Sequence, residues 1–367
     1  AKGSREELPC RVQGQRPCWS PEAKPLAGSR GSAPWVSPIN KRKLYEEVTN
    51  SIAKKGQGRN SLAGSRGSAP WVPLMKGKKA MRLSTSTCMY FNRPDGTKAS
   101  ILDSVRTLGQ AGYRVLDMNF HDLSVFDTPF KTPQWETLIH QAKDIADEMG
   151  IEFSQGHLHF YNFCDPNTPD KEFLDELIRR GIEGGRILGI KWLVIHAATD
   201  FDSVTPVRDS KRKTIEYLKP RIELAGKYGV GIAVENLWEE NIAPKRRYCV
   251  TAEELGDLVD SLPYDNVGCC WDVEHASICH QDQRKALQYL GKRLKAIKND
   301  HILPFSGLSD WTEITDALHL AQYDGDFTYE THNFTAKMPD EVIMSGLKHS
   351  IDIGNLLIDM IQGGHQA

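Results

Sequence analysis

The sequence has no run approaching the ~18–20 consecutive apolar residues that a membrane span requires. Its first stretch, Ala1 to Gln15, is polar and charged and carries no secretory apolar segment. Both absences point to a chain that works in the cytoplasm, away from membranes. The eight cysteines include no CxxC pair and follow no regular spacing; Cys269 and Cys270 are adjacent in an apolar run, and Cys88, Cys164, Cys249 and Cys279 are scattered. Neither a disulfide framework nor a thiolate zinc ribbon is expected, and free thiols are. There is no Gly-rich phosphate turn after an early strand, which weighs against a doubly wound, dinucleotide-binding sheet. Net charge is also scarce, −2 over 367 residues.

That small net charge conceals two unlike parts. Residues 1–80 hold 16 Lys/Arg against 5 Asp/Glu, and the remainder holds 30 against 43. The basic part is rich in Gly, Pro and Ser and contains LAGSRGSAPWV twice, at 26–36 and 62–72. A repeat that stacks into a solenoid carries a hydrophobic pattern. This one has Leu, Trp and Val only at its edges, too little apolar surface to offset the entropy of ordering it. Residues 1–80 are therefore read as a disordered extension, with transit-peptide and nucleic-acid-contacting roles as the functional alternatives. The folded domain is expected to span 81–367.

From Met81 the text alternates strand and helix. Apolar or alternating runs at 82–91, 113–120, 151–157, 191–198, 230–237, 266–273 and 326–332 read as strands, with Leu294–Ile297 as a weak one. Helical spacing falls between them, at 100–112, 134–149, 171–188, 210–228, from the Thr251–Glu254 capping box, at 283–290, 311–322 and 339–361. Strands that are apolar throughout are buried on both faces. Eight such units predict an α/β fold, a (β/α)8 TIM barrel.

In that fold the active site lies at the C-terminal ends of the strands. Those ends carry Gln155, His157 and His159; His196; Glu235 and Asn236; Asp272 and His275; Asn299, Asp300 and His301; and Glu330 and His332. One such His is ordinarily a packed structural residue, and one such carboxylate ordinarily caps the next helix. Carboxylates delivered by successive strands to one mouth repel each other unless a cation neutralises them. Mixed His, Asp and Glu donors suit Mn2+, Zn2+, Co2+ or Fe2+.

The body resembles the xylose isomerase-like TIM-barrel superfamily, which includes sugar phosphate isomerases and epimerases. The resemblance is carried by SQGHLHF, WLVIHAA, GIAVEN, GCCWDVEHA, DHILPFSG and YDGDFTYETH. It implies a divalent metal ion (Mn, Co, Mg or Zn) held by Glu235, Asp272, His301 and Glu330. It implies Glu235 and Glu330 as the catalytic acid/base pair and His157, His196 and His275 as substrate-binding residues. The family's strand-seven metal His has no counterpart here. The run from Arg293 to His301 reads as short by about a strand, with Asn299 in place of an expected Asp and His301 as the candidate substitute.

The chemistry implied is proton abstraction next to the carbonyl of a sugar, sugar phosphate or inosose, through an enediolate. An endonuclease acting at abasic DNA sites with a zinc cluster is the second reading, weakened by the acidic body. A catalytically degenerate barrel that only binds a sugar is the third. Tyr90, Phe91, Phe120, Phe160, Tyr161, Phe163, Trp238 and Phe305 are candidates for stacking on a sugar ring, and Arg93 or Lys245 for holding a substrate phosphate. The partner expected is a small-molecule sugar rather than nucleic acid or membrane, with a homo-oligomer left open.

Overall fold

The computed structural model describes residues 81–239, 246–307 and 309–363. The extension at 1–80, its repeat and Lys245 lie outside the described residues. Eight parallel strands, each paired with its sequence neighbours and the last with the first, close into a barrel. They are β1 (Leu83–Ser86), β2 (Val115–Asn119), β3 (Glu152–His157), β4 (Trp192–His196), β5 (Gly231–Glu235), β6 (Val267–Asp272), β7 (Leu294–Asp300) and β8 (Phe327–Glu330). The principal helices that follow them are α1 (Ile101–Ala111), α2 (Trp135–Glu148), α3 (Lys171–Leu188), α4 (Pro206–Lys227), α5 (Ala252–Asp260), α6 (Gln283–Leu290), α7 (Trp311–Leu320) and α8 (Asp340–Gly363). The TIM barrel expected from the alternation is the fold observed.

Three local readings change. The first strand ends at Ser86, and Cys88–Phe91 forms a helical turn instead of continuing it. α4 starts at Pro206, four residues early, because proline at the first helical turn lacks only an N–H that would be unpaired anyway. The third change is a correction. No strand is missing before His301: β7 runs through Leu294–Asp300, pairs with β8 in unbroken register up to Asp300 and Glu330, and pairs with β6 from Cys270 and Ala296 onward, after a register shift between Cys269 and Cys270. Lys295, Lys298 and Asn299 disguise it, because polar residues break the apolar run by which the other strands are recognised.

Helix ends follow their local chemistry. The Ser100 side chain caps α1 by accepting from the Asp103 N–H, and that of Thr251 caps α5 by accepting from the Glu254 N–H. α3 stops at Gly189, whose φ of 74° glycine adopts without strain. One continuous apolar core lies between the strands and the outer helices. A small separate cluster of Val194, Ala233, Cys270 and Ala296, with Trp192 against it, fills the barrel's own interior.

Side chains alternate across a strand, so residues two apart share a face. Two positions beyond Val194, Ala233, Cys270 and Ala296 stand His196, Glu235, Asp272 and Lys298. The barrel interior therefore changes within one layer from apolar to charged. No helix among the described residues is long and apolar enough to cross a membrane. The six described cysteines are free.

Candidate active site

Above that charged layer opens a cavity of about 330 Å3, lined by residues from the C-terminal ends of the strands. Glu235 and Glu330 both line it, three strands apart around the ring, together with His157, His196, His275, His301 and His332. The sequence-predicted set is thus largely gathered in one place, but it sorts into three groups.

The first group joins β3, β4 and β5. His157 Nε2, His196 Nε2 and Glu235 Oε2 form a triangle, each 3.2 Å from the other two. His157 Nδ1 is placed to donate to the Leu158 carbonyl at 2.9 Å, which turns its Nε2 towards the other two atoms; burial and Lys298 would lower its pKa, but Glu235 and Glu330 raise it. Burial would raise the Glu235 carboxyl, but the Lys298 ammonium and both imidazoles hold it well below the usual carboxylate range. Burial pushes His196 down to about 4, so its ring is neutral near pH 7.

The second group lies at the end of β7. Asp300 Oδ2 is 2.9 Å from His301 Nδ1 and 3.5 Å from His275 Nε2, and its Oδ1 is 3.4 Å from His332 Nδ1. His275 Nδ1 donates to the Asn236 carbonyl at 2.9 Å. Asp300 is the acid beside His301. Asn299, read as standing in for it, instead donates to the Ile302 carbonyl at 2.7 Å. Asp272 caps the short helix Val273–Ile278 through the His275 N–H, 2.7 Å away, while its Oδ2 is buried without a hydrogen-bond partner. Burial raises its carboxyl to about 6.

The third group was not anticipated. Lys298 is fully buried under the cavity floor, its Nζ 2.8 Å from Glu330 Oε1 and 3.9 Å from Asp117 Oδ2. Burial would lower its pKa, but Glu330, Asp117 and Glu235 together raise it well above the ordinary lysine value. The available signal was parity: Lys298 precedes Asp300 by two residues, as Glu330 follows Thr328.

Other placements follow the same division. Phe160 and Trp238 line the cavity, and Phe160 lies between His121 and His196 with ring centroids 3.9 and 4.0 Å away. Phe91 and Phe120 are in the core, Phe163 stacks on Tyr217, and Tyr161 donates to Asp175. Tyr90 lies under the Arg93 guanidinium, and Phe305 is exposed. Arg93 pairs with Asp340, and the arginine that reaches the cavity is Arg247. Gln155 faces a second cavity, lined also by Asp324 and Asp326 before β8. His159 is buried beside His121.

The sequence signature described as xylose isomerase-like TIM barrel matches residues 105–352, two thirds of the chain. The chain belongs to the xylose isomerase-like TIM-barrel family. Similar solved structures include a D-psicose 3-epimerase determined in the presence of D-fructose (13% identity, 76% of this chain and 99% of that one, TM-score 0.60). They also include a 3-keto-D-glucoside 4-epimerase from E. coli (17%, 74% and 98%, 0.57) and a xylose isomerase domain protein from Alicyclobacillus acidocaldarius (15%, 77% and 100%, 0.61). A curated relative, an uncharacterised protein of Sinorhizobium fredii, is 27% identical over 181 residues, 46% of this chain. The match spans only 56% of that relative's length.

A xylose isomerase-like barrel of this kind implies a divalent metal, and the residues can be tested against one. Of the Glu235, Asp272, His301 and Glu330 set, Glu235 and Asp272 come together with His275 as a third donor, whereas His301 groups with Asp300 and His275 and an ammonium already sits against Glu330. The His157, His196 and Glu235 group fits well. A tetrahedral ion with bonds of ~2.0–2.1 Å separates neighbouring donors by about 3.4 Å, close to the triangle observed. Two imidazole nitrogens and a carboxylate oxygen converging this closely are a donor set of the kind that binds a divalent cation.

Proposed function

We propose that this protein is a sugar epimerase or isomerase that moves a proton at a carbon next to a carbonyl. The reading is carried by one observation: Glu235 and Glu330 face the same cavity from separated strands, one beside two imidazoles and the other beside an ammonium. A cavity of about 330 Å3 suits a small polar ligand better than a polymer. The solved sugar epimerases of the same fold support the choice of substrate class.

In this reading Glu235 and Glu330 flank the reacting carbon. One takes its proton and the other returns a proton. Return to the opposite face of the same carbon gives epimerisation, and return to the neighbouring carbon gives isomerisation. Glu235 is suited to the base role because it stays ionised although buried. His275, held through Nδ1, presents Nε2 towards Asp300 at the cavity wall, where it can hydrogen-bond a substrate hydroxyl. Phe160 and Trp238 cover apolar faces of the ring. A divalent ion held by His157, His196 and Glu235 would supply a Lewis acid for the carbonyl oxygen.

The test is turnover and solvent-deuterium incorporation across free ketoses, 3-keto sugars, inososes and sugar phosphates, with Mn2+ or Co2+ added. Deuterium should enter at one carbon. Glu235→Gln and Glu330→Gln should each lower kcat by roughly 10²–10⁴-fold. Variants with full turnover, or product without exchange, would refute the reading.

A second reading has its own observation. The His275, Asp300 and His301 group beside the His157, His196 and Glu235 group gives two donor sets in one mouth, as a multi-metal phosphodiesterase would need. An acidic body opposes duplex binding. Nicking of an abasic duplex by the full chain decides between the two.

A further inference from the structure

We infer that the Lys298 ammonium takes the place of a divalent ion on the Glu330 side of the mouth, so that Glu330 is a lysine-held carboxylate and not a metal ligand. Its use as an acid/base rests on the function proposed above; its exclusion from metal binding does not.

Four observations combine. β7 is complete and, beyond the register shift at Cys269 and Cys270, regularly paired with both neighbours, so Lys298 is a built part of the ring, paired with Asp272 on one side and Thr328 on the other. Its side chain is fully buried, and its Nζ lies 2.8 Å from Glu330 Oε1, an ion pair by distance without the angles of a hydrogen bond. Asp117, also fully buried, faces the same ammonium at 3.9 Å, and neither of its oxygens has a hydrogen-bond partner among the described residues. The imidazole donors group with Glu235, with Asp272 or with Asp300, none of these groups includes Glu330, and none of the imidazoles belongs to β7 itself.

A dication bound to Glu330 would stand beside an ammonium with no solvent between them, and like charges at that spacing in a buried site repel strongly. Two carboxylates left without the ammonium would repel each other and attract a cation. A lysine also does something an exchangeable ion does not. It is covalently fixed, and it holds one Glu330 oxygen from below while Glu330 still lines the cavity. Lys298 does not line that cavity, so it is a positioning residue acting through Glu330.

The test measures Co2+ binding by the full chain, by equilibrium dialysis and visible absorption, with no substrate present. Glu330→Gln should bind Co2+ within about twofold of the wild-type affinity, whereas His196→Ala should weaken it at least tenfold. Lys298→Met should take up one further equivalent of Co2+ and gain thermal stability on its addition. The double variant with Glu330→Gln should lose that extra equivalent. A wild type that takes up no Co2+ agrees with the exclusion and removes instead the metal from the proposed function. A tenfold loss of affinity in Glu330→Gln, or a folded Lys298→Met with no extra equivalent, overturns the inference. Should Lys298→Met fail to fold, the Glu330→Gln arm decides alone. Deuterium exchange reports on the sugar chemistry separately.

Discussion

Gln283 shows how one side chain far from the cavity places a residue in it. Its Oε1 accepts from the Trp271 indole at 2.9 Å, and its Nε2 donates to the Val273 carbonyl at 2.7 Å. Trp271 is fully buried on β6, and Val273 opens the short helix that carries His275. Gln283→Leu leaves the buried Trp271 N–H unpaired, while the Val273 carbonyl keeps the Ser277 hydroxyl, so it should cost about 1–3 kcal/mol in urea denaturation. It should also raise KM more than a surface substitution would, since His275 loses its support. His301 is a second case. Its φ of 56° is a left-handed conformation that non-glycine residues adopt at a cost, and it brings the ring back onto Asp300. His301→Gly should therefore relieve backbone strain while removing the imidazole. The expected outcome is a melting temperature equal to or above that of His301→Ala, with the same loss of activity.

At the scale of elements, the approach of β6 to β7 depends on Gly268. A Cβ there would stand 2.8 Å from the Arg293 carbonyl and 2.2 Å from the Lys295 side chain. The side chain can move aside, but the backbone carbonyl cannot do so without shifting β7. Gly268→Ala should destabilise by about 1–3 kcal/mol and loosen the Lys298–Glu330 pair, read as a lower urea midpoint at unchanged slope. On α3, Arg179 and then Arg180 hold the Glu176 carboxyl down to about 2, against a burial effect in the other direction. A carboxyl lowered in the folded state contributes stability that is present above its unfolded value of about 4.5 and lost as the pH falls towards 2. Because the group is partly solvated, Glu176→Gln should cost less than about 1 kcal/mol at pH 7. The difference from wild type should vanish by about pH 2.

At the scale of the whole molecule, the ring of strands begins at Leu83 and closes at Glu330, with α8 ending at Gly363. Every residue assigned to the site lies inside that span. We propose that a chain beginning at Met81 keeps the melting temperature within about 2 °C of the full chain and keeps Co2+ binding and any deuterium exchange. Loss of either would mean that residues 1–80 contribute to the barrel. The charge division gains meaning from the structure. Asp117, Glu235, Asp272, Asp300 and Glu330 converge on one mouth, where imidazoles and one buried ammonium answer them.

The sequence by itself determined the barrel, seven of its strands clearly and the eighth only as the short stretch Leu294–Ile297, and most of the mouth. Apolar runs, helix caps and stop signals are local, and residues at strand ends must face one opening once the ring closes. It did not reveal how those residues divide. Whether His301 meets Glu235 or Asp300, and whether Asp117 on β2 meets Lys298 on β7, depends on inter-strand register and on the curvature of the ring. These join positions far apart in the chain and leave no periodic trace in the text. β7 was hardest to read for the same reason. Its polar residues look like a loop when read alone, and they are tolerated in a buried strand only because the closed barrel supplies Asp117 and Glu330 to balance the lysine's charge.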